Sequence, residues 1–567
     1  MTRKICVSFI TIISLLMALT CRTYACSSIY VGSEVSADGS TIITRSNDYQ
    51  GVTANNIIVV DRVENKPGRT MPVDENSETL AELPDTTYKY IATPFMDSAM
   101  GEVFKARDAA VCTNEYGVAM TMSVTAFSNE RALAADPLID TGLVEDRADD
   151  LVVCQSKTAR EAVETLLGII DKFGSAEVNI ALISDQKEAW YVEMYGGHQY
   201  AAVKLPQDKV SVFGNEFNIE YLSDYEESIT SKELLTLPEQ KGFAVYGKNK
   251  ELNLWDTYSG EELTSTYSHM RTWIGHQVLA PSRFGGDYKK EDRYPLCFEP
   301  DEKVSLTQVC ELMRNRYEGT KYDPDKTGRK DMRVIGSDTS MSVHVVQVYP
   351  DLPADMSSVL WECTGPAPYG VFVPVSNAVT SIDSAYGQNQ PEEEAGKFDV
   401  TQYPYYAFKG LNTQCMGPEN YEIYGAPVRG YWKKAEQGMF AGMSKVLANA
   451  KALDDADKAA DYISGYCNAM QDQAFNDAKA LYNKVEWTKS ANSNTFKMGK
   501  NPETQQVLDE EVKIPPMEVE LDPSSYAEIP DAGNLKSSSG SGSGITSTLL
   551  IALGALSVIA VTAMACK

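Results

Sequence analysis

"CSSIYVGSEVSADGSTIITRSND" spans residues 26–48. Two β-rich runs, "SSIYVG" and "TIITR", flank the polar turn "SADGS", so the segment reads as an antiparallel hairpin. It opens on Cys26 and returns through "RSND", and the turn therefore folds Arg45 and Asp48 back toward the cysteine.

Upstream, residues 1–25 have a short basic start (Arg3, Lys4), an apolar run from Cys6 to Leu19, and small residues Thr23 and Ala25 just before Cys26. This is the pattern of a secretory signal peptide. Cleavage after Ala25 would leave Cys26 with a free α-amino group, whose pKa is about 8 and which can serve as the base that a thiol nucleophile needs. The usual base is a histidine, but His198, His269, His276 and His344 lie beside no cysteine-protease signature and read as structural.

The 567 residues have a hydrophobic fraction of 43% and include 31 Tyr, the composition of a folded chain. A net charge of -28 without any basic stripe argues against nucleic-acid binding and for a solvated acidic surface. Of 11 cysteines, Cys6 and Cys21 belong to the leader and Cys566 to the last apolar stretch. The other eight (Cys26, Cys112, Cys154, Cys297, Cys310, Cys363, Cys415, Cys467) contain no C-x-x-C pair, so no zinc site and no other cofactor is expected, and any disulfide pairing is left open.

"ITSTLLIALGALSVIAVTAMA" (545–565) is uncharged and about 30 Å long as a helix, the thickness of a bilayer core. It follows an acidic, Pro-containing and then Ser/Gly-rich linker over 497–544. The expectation is an exported protein held at the cell surface by a C-terminal transmembrane helix, or by a glycolipid anchor that replaces it.

Between these ends the hairpin pattern recurs in "DAAVCTNEYGVAMTMSVTAF" (108–127), around the turn "NEYG". "TAREAVETLLGIIDKFG" (158–174) is a helix with Thr158 as cap and Gly174 as stop, and "SLTQVCELMRNRY" (305–317) is a second capped helix. "EVNIALISDQKEAWYVEMY" (177–195), "SVHVVQVYP", "SSVLWECTG" and "GVFVPV" read as strands. Residues 430–490 are rich in Ala, Lys and Asp at helical periods and form a packed C-terminal helical part. Hairpins and helices grouped in blocks predict an α+β layer architecture.

The leading Cys26, the "DGS" turn at 38–40, and Arg45 with Asp48 together resemble the N-terminal signature of the C69 dipeptidases, N-terminal-nucleophile hydrolases related to choloylglycine hydrolases and penicillin V acylases. "TNEYGVAMTMSVTA", "SAEVNIALISDQKEAWYVE", "VFGNEFNI", "YSHMRTW" and "VHVVQVYPDLPADMSSVLWECTGPAPYGVFVPV" continue the resemblance over about residues 26–490. It implies a four-layer αββα fold: a catalytic domain over 26–427, completed by helices over 428–496. It also implies that Cys26 is the nucleophile and its amine the base, that Arg45 and Asp48 lie near the thiolate, that Asn215 of "GNEF" donates to the oxyanion, and that Arg271 is a further active-site cation with Arg283 as runner-up.

Relatives of the acylase type place another asparagine about ten residues after the second turn. This chain reads "MSVTA" there, and neither Ser123 nor Thr125 is assigned that role, while Asn114 reads as a turn residue. The implied activity is hydrolysis of dipeptides through an acyl-enzyme, by a protein that forms a homo-oligomer or acts alone. The alternatives are an amidase of the same fold that acts on acyl amides, and a non-catalytic surface binding protein.

Overall fold

The computed structural model describes residues 26–48, 54–94, 109–123, 126–247, 249–260, 266–329, 331–391, 394, 396–497 and 514–530. The opening hairpin forms as the sequence predicts. Strands Ser28–Val31 and Thr41–Asn47 pair antiparallel with Tyr30 opposite Ile43. Asp38 makes the turn: its Oδ1 accepts from the Ser40 amide at 3.2 Å and the Ser40 hydroxyl at 2.6 Å, while Gly39 takes φ +81°, a conformation that a side chain disfavours.

This hairpin sits in a six-stranded sheet in the order Val210–Phe213, Ser28–Val31, Thr41–Asn47, Ser342–Val348, Ser358–Thr364, Val373–Ser376. The second hairpin, Ala109–Asn114 with Ala119–Ser123, lies in an eight-stranded antiparallel sheet together with Asn179–Ser184, Ala189–Met194 and Tyr200–Lys204. Side chains bridge the two sheets: Thr113 Oγ1 meets Ser358 Oγ at 2.6 Å and Thr121 Oγ1 meets His344 Nε2 at 3.0 Å.

Helices cover the outer faces. Glu145–Val153 and Ala159–Phe173 lie on the eight-stranded sheet; His269–Leu279 and Ala456–Lys497 lie on the six-stranded one. This is the four-layer αββα arrangement expected from the sequence. Ala159–Phe173 is capped by Thr158, which accepts from the Glu161 amide at 3.1 Å, and buries Ala162, Val163, Leu166 and Ile170 at helical spacing. The helix predicted over 305–317 stops at Met313, because Arg314 turns inward and Tyr317 takes φ 60°. Gly275 allows helix His269–Leu279 to approach Val210–Phe213 closely: a Cβ there would lie 2.1 Å from Val212.

The anchored, exported location expected from the sequence is corrected. Among the described residues no helix is long and apolar enough to cross a membrane. The last long helix, Ala456–Lys497, is amphipathic and lays Ile463, Cys467, Met470, Ala474 and Ala478 against the protein. The leader (1–25) and the stretch 545–565 lie outside the described residues. The eight cysteines from Cys26 to Cys467 are all free thiols.

Candidate active site

Cys26 lies two residues before strand Ser28–Val31 and is buried. The Ser27 amide donates to Ser46 Oγ at 2.9 Å and the Ser46 amide to Ser27 O at 2.9 Å, so the hairpin register brings Arg45 beside the cysteine. Arg45 is buried, and its guanidinium is used on three sides. Nε donates to Cys26 Sγ at 3.4 Å, Nη1 donates to the Ala110 carbonyl at 3.2 Å, and Nη2 pairs with the Glu145 carboxylate. Burial opposes its charge, but Cys26, Glu145 and Asp149 outweigh that cost and hold its pKa above the ordinary arginine value. The sulfur thus has a fixed cation against it.

Arg271 approaches the same cysteine from helix His269–Leu279. Its Nη1 donates to Cys26 O at 2.6 Å and Ser27 Oγ at 2.9 Å, its Nε to Tyr267 O at 2.9 Å, and its Nη2 to Asn215 Oδ1. A guanidinium only donates, so it fixes the Asn215 amide with oxygen toward Arg271. The Asn215 Nδ2 donor is left buried and without a partner among the described residues. Such a donor calls for an acceptor that the resting protein does not supply.

The Asn215 loop is pinned from below. Glu193 accepts from Tyr191 OH at 2.8 Å, Tyr195 OH at 2.7 Å and the Ile219 amide at 3.2 Å, and also from the Asn218 amide. Burial pushes its carboxyl up to about 7, against these donors. Glu216 binds Thr272 Oγ1 and His269 Nδ1, tying the loop to the helix that carries Arg271. Gly214 leaves room for that guanidinium, since a Cβ would lie 3.1 Å from Arg271 Cζ.

Asp48 is buried, but its cation is Arg333, at 3.0 Å, and its other oxygen accepts from Ser340 Oγ at 2.5 Å. The carboxylate on Arg45 is instead Glu145. Tyr267 lies between two guanidiniums, 5.5 Å from Arg271 and 5.7 Å from Arg333. Cys26, Arg45, Asn215 and Arg271 are thus linked directly, and Asp48 joins them through Arg333 and Tyr267. Arg283 is exposed, lies over the Phe284 ring and does not enter the cluster. Asn114 is a turn residue: its Oδ1 accepts from the Tyr116 and Val118 amides and its Nδ2 donates to the Val153 and Ser156 carbonyls.

Glu145 and Arg333 were not evident from the sequence. "EDRADD" (145–150) has the appearance of a solvated charged face, yet Glu145, Arg147, Asp149 and Asp150 are all buried. The available signal was that this charged run leads directly into the apolar "LVV" of the same helix.

Similar proteins carry related names. The chain is 28% identical over 418 residues to "Probable dipeptidase B" of Lactococcus lactis, covering 71% of this chain and 83% of that one. It is 25% identical to "Probable dipeptidase A" of Streptococcus pyogenes, covering 81% of this chain and 98% of the other. A solved conjugated bile acid hydrolase from Clostridium perfringens aligns over 64% of this chain and 95% of its own, with TM-score 0.25 and 13% identity. Residues 25–434 match peptidase family C69, and the chain belongs to that family of cysteine peptidases.

Proposed function

We propose that the protein is a dipeptidase in which Cys26 is the nucleophile. The observation that carries this reading is the buried Arg45 guanidinium held at 3.4 Å from the Cys26 sulfur, in a family whose relatives are named dipeptidases. The thiolate attacks the peptide carbonyl carbon, and the carbonyl electrons move onto oxygen. Asn215 Nδ2 donates to that oxyanion, an interaction worth about 3 kcal/mol where a single donor is removed from comparable sites. The C–N bond then breaks, and the leaving nitrogen takes a proton. Water hydrolyses the thioester, releasing the acid and restoring the thiol. The α-amine of Cys26 shuttles these protons, which requires removal of residues 1–25. Arg271 holds Cys26 O and Asn215 in register, and Arg333 holds Asp48.

The test is hydrolysis of a dipeptide panel by protein whose first residue is Cys26, alongside Cys26→Ala and Asn215→Ala. Cys26→Ala is expected to fall to background. Asn215→Ala is expected to lose about 100- to 1,000-fold in kcat with little change in KM. Full activity of Cys26→Ala, or turnover of N-acyl amides with none of dipeptides, overturns the reading.

A further inference from the structure

A row of buried polar side chains crosses the six-stranded sheet on its inner face. The strand register sets Arg45 directly opposite His344 and His344 directly opposite Glu362, so all three project to the same side from adjacent strands. All three are buried. Thr121 and Thr93 meet them from the facing sheet.

The directions of these hydrogen bonds follow from which groups own a proton. Ala110 O can only accept, so the Thr121 hydroxyl donates to it at 3.0 Å, sharing that oxygen with Arg45 Nη1 at 3.2 Å. With its one proton committed, Thr121 Oγ1 accepts from His344 Nε2 at 3.0 Å. The imidazole therefore carries its proton on Nε2, and Nδ1 is a bare acceptor. His344 Nδ1 has no partner among the described residues, and neither does Glu362 Oε1 on the neighbouring strand. Glu362 Oε2 accepts from Thr93 Oγ1 at 3.4 Å. Burial disfavours the charged form of both groups: it pushes His344 well below its ordinary value, with Arg45 adding to the effect, and Glu362 well above its own. A carboxyl that burial favours as the undissociated acid thus faces, across adjacent strands, a bare imidazole nitrogen.

We infer that Glu362 donates to His344 Nδ1 through one buried water, and that His344 and Thr121 are positioning residues that hold the Arg45 guanidinium on the Cys26 sulfur. From His344 the observed contacts run through Thr121, Ala110 O and Arg45 to Cys26, and the inferred water adds Glu362 at the far end. It rests on the reading of Cys26 as the reactive thiol but not on which amide is cleaved.

The experiment measures the rate of Cys26 alkylation by iodoacetamide against pH in the wild type, His344→Leu, His344→Gln and Thr121→Val, with the imidazole ¹⁵N shifts of the wild type. The midpoint is expected to rise by about one pH unit in His344→Leu, roughly a tenfold slower reaction at neutral pH, with the same rise in Thr121→Val. His344→Gln, whose amide keeps a donor toward Thr121, returns the profile toward wild type. The ¹⁵N signals of His344, assigned by their loss in His344→Gln, are expected to stay those of a neutral Nε2–H ring from pH 5 to 8. A wild-type alkylation profile in both His344→Leu and Thr121→Val overturns the inference, as does an Nδ1–H ring or a His344 that titrates near 6.5. If His344→Leu does not fold, Thr121→Val and the ring shifts decide. Dipeptide turnover is a separate readout, so loss of the dipeptidase reading leaves this result interpretable.

Discussion

The proposed reactivity of Cys26 rests most on Arg45, whose buried guanidinium donates to the sulfur at 3.4 Å. Its partner Glu145 is as buried as it is, so removing the arginine leaves a carboxylate without its cation. Two effects of Arg45→Met are therefore expected, and they can be separated. Stability should fall by about 3–5 kcal/mol, and the midpoint of Cys26 alkylation should rise by about 1–3 pH units as the cation leaves the sulfur. Adding Glu145→Gln should recover much of the stability and none of the reactivity. Urea unfolding and iodoacetamide kinetics on the single and double variants check this. Full recovery of both would make Arg45 a structural ion-pair partner only.

The elements with local signals were legible in the sequence. The "DGS" and "NEYG" hairpins, the helix capped by Thr158 and the late strands each announce themselves through turn chemistry, a cap or alternation, and each forms where predicted. Register between distant strands has no local signal, so the sequence could not tell that His344 faces Arg45 or that Glu362 faces His344. The helix Glu145–Val153 was missed for a different reason: its charges look solvated but are buried, with Glu145 paired to Arg45.

Glu193 is an intermediate case. Its strand was read correctly, but its task of holding the Asn215 loop depends on four donors from residues 191 to 219. That arrangement makes a prediction about pH. With the Glu193 carboxyl raised to about 7 in the folded protein and about 4.3 in an unfolded chain, protons bind the folded form more tightly. Its contribution to stability is full below about pH 4.3 and is lost as pH rises through about 7. Glu193→Gln should remove this dependence, so the difference in unfolding midpoint between wild type and variant should change between pH 5 and 8, favouring the variant at the higher pH. A difference that stays constant over that range would mean that Glu193 titrates as an ordinary carboxylate.

At the scale of the whole molecule, the question is whether the C-terminal helices complete the catalytic body or merely follow it. The match to the family ends at residue 434, and two residues later Glu436 makes a buried ion pair with Arg314. Arg314 also donates to the Ala367 and Gly370 carbonyls at 3.0 and 3.1 Å, and Glu436 accepts from the Phe372 amide at 2.9 Å. The pair therefore ties helix Ala426–Lys451 to the chain leading into strand Val373–Ser376, which helix Ala456–Lys497 also covers through Gln471 on Pro374 O at 3.1 Å. If these helices are part of the catalytic body, Glu436→Ala should cost about 3 kcal/mol, because it leaves the buried Arg314 with only Glu311, at 3.4 Å, as its counter-charge. It should lower dipeptide turnover only as the protein unfolds, because the pair's hydrogen bonds go to the Ala367 and Gly370 carbonyls and the Phe372 amide rather than to Cys26, Asn215 or Arg271. Arg314→Met combined with Glu436→Leu should recover part of the loss, since an apolar pair of similar volume needs no desolvation but leaves the Phe372 amide and the Ala367 and Gly370 carbonyls without these partners. Urea unfolding followed by activity at each concentration tests this. A single transition in which both signals vanish together is expected. An early transition that releases the helices while turnover persists would show that the sandwich stands without them.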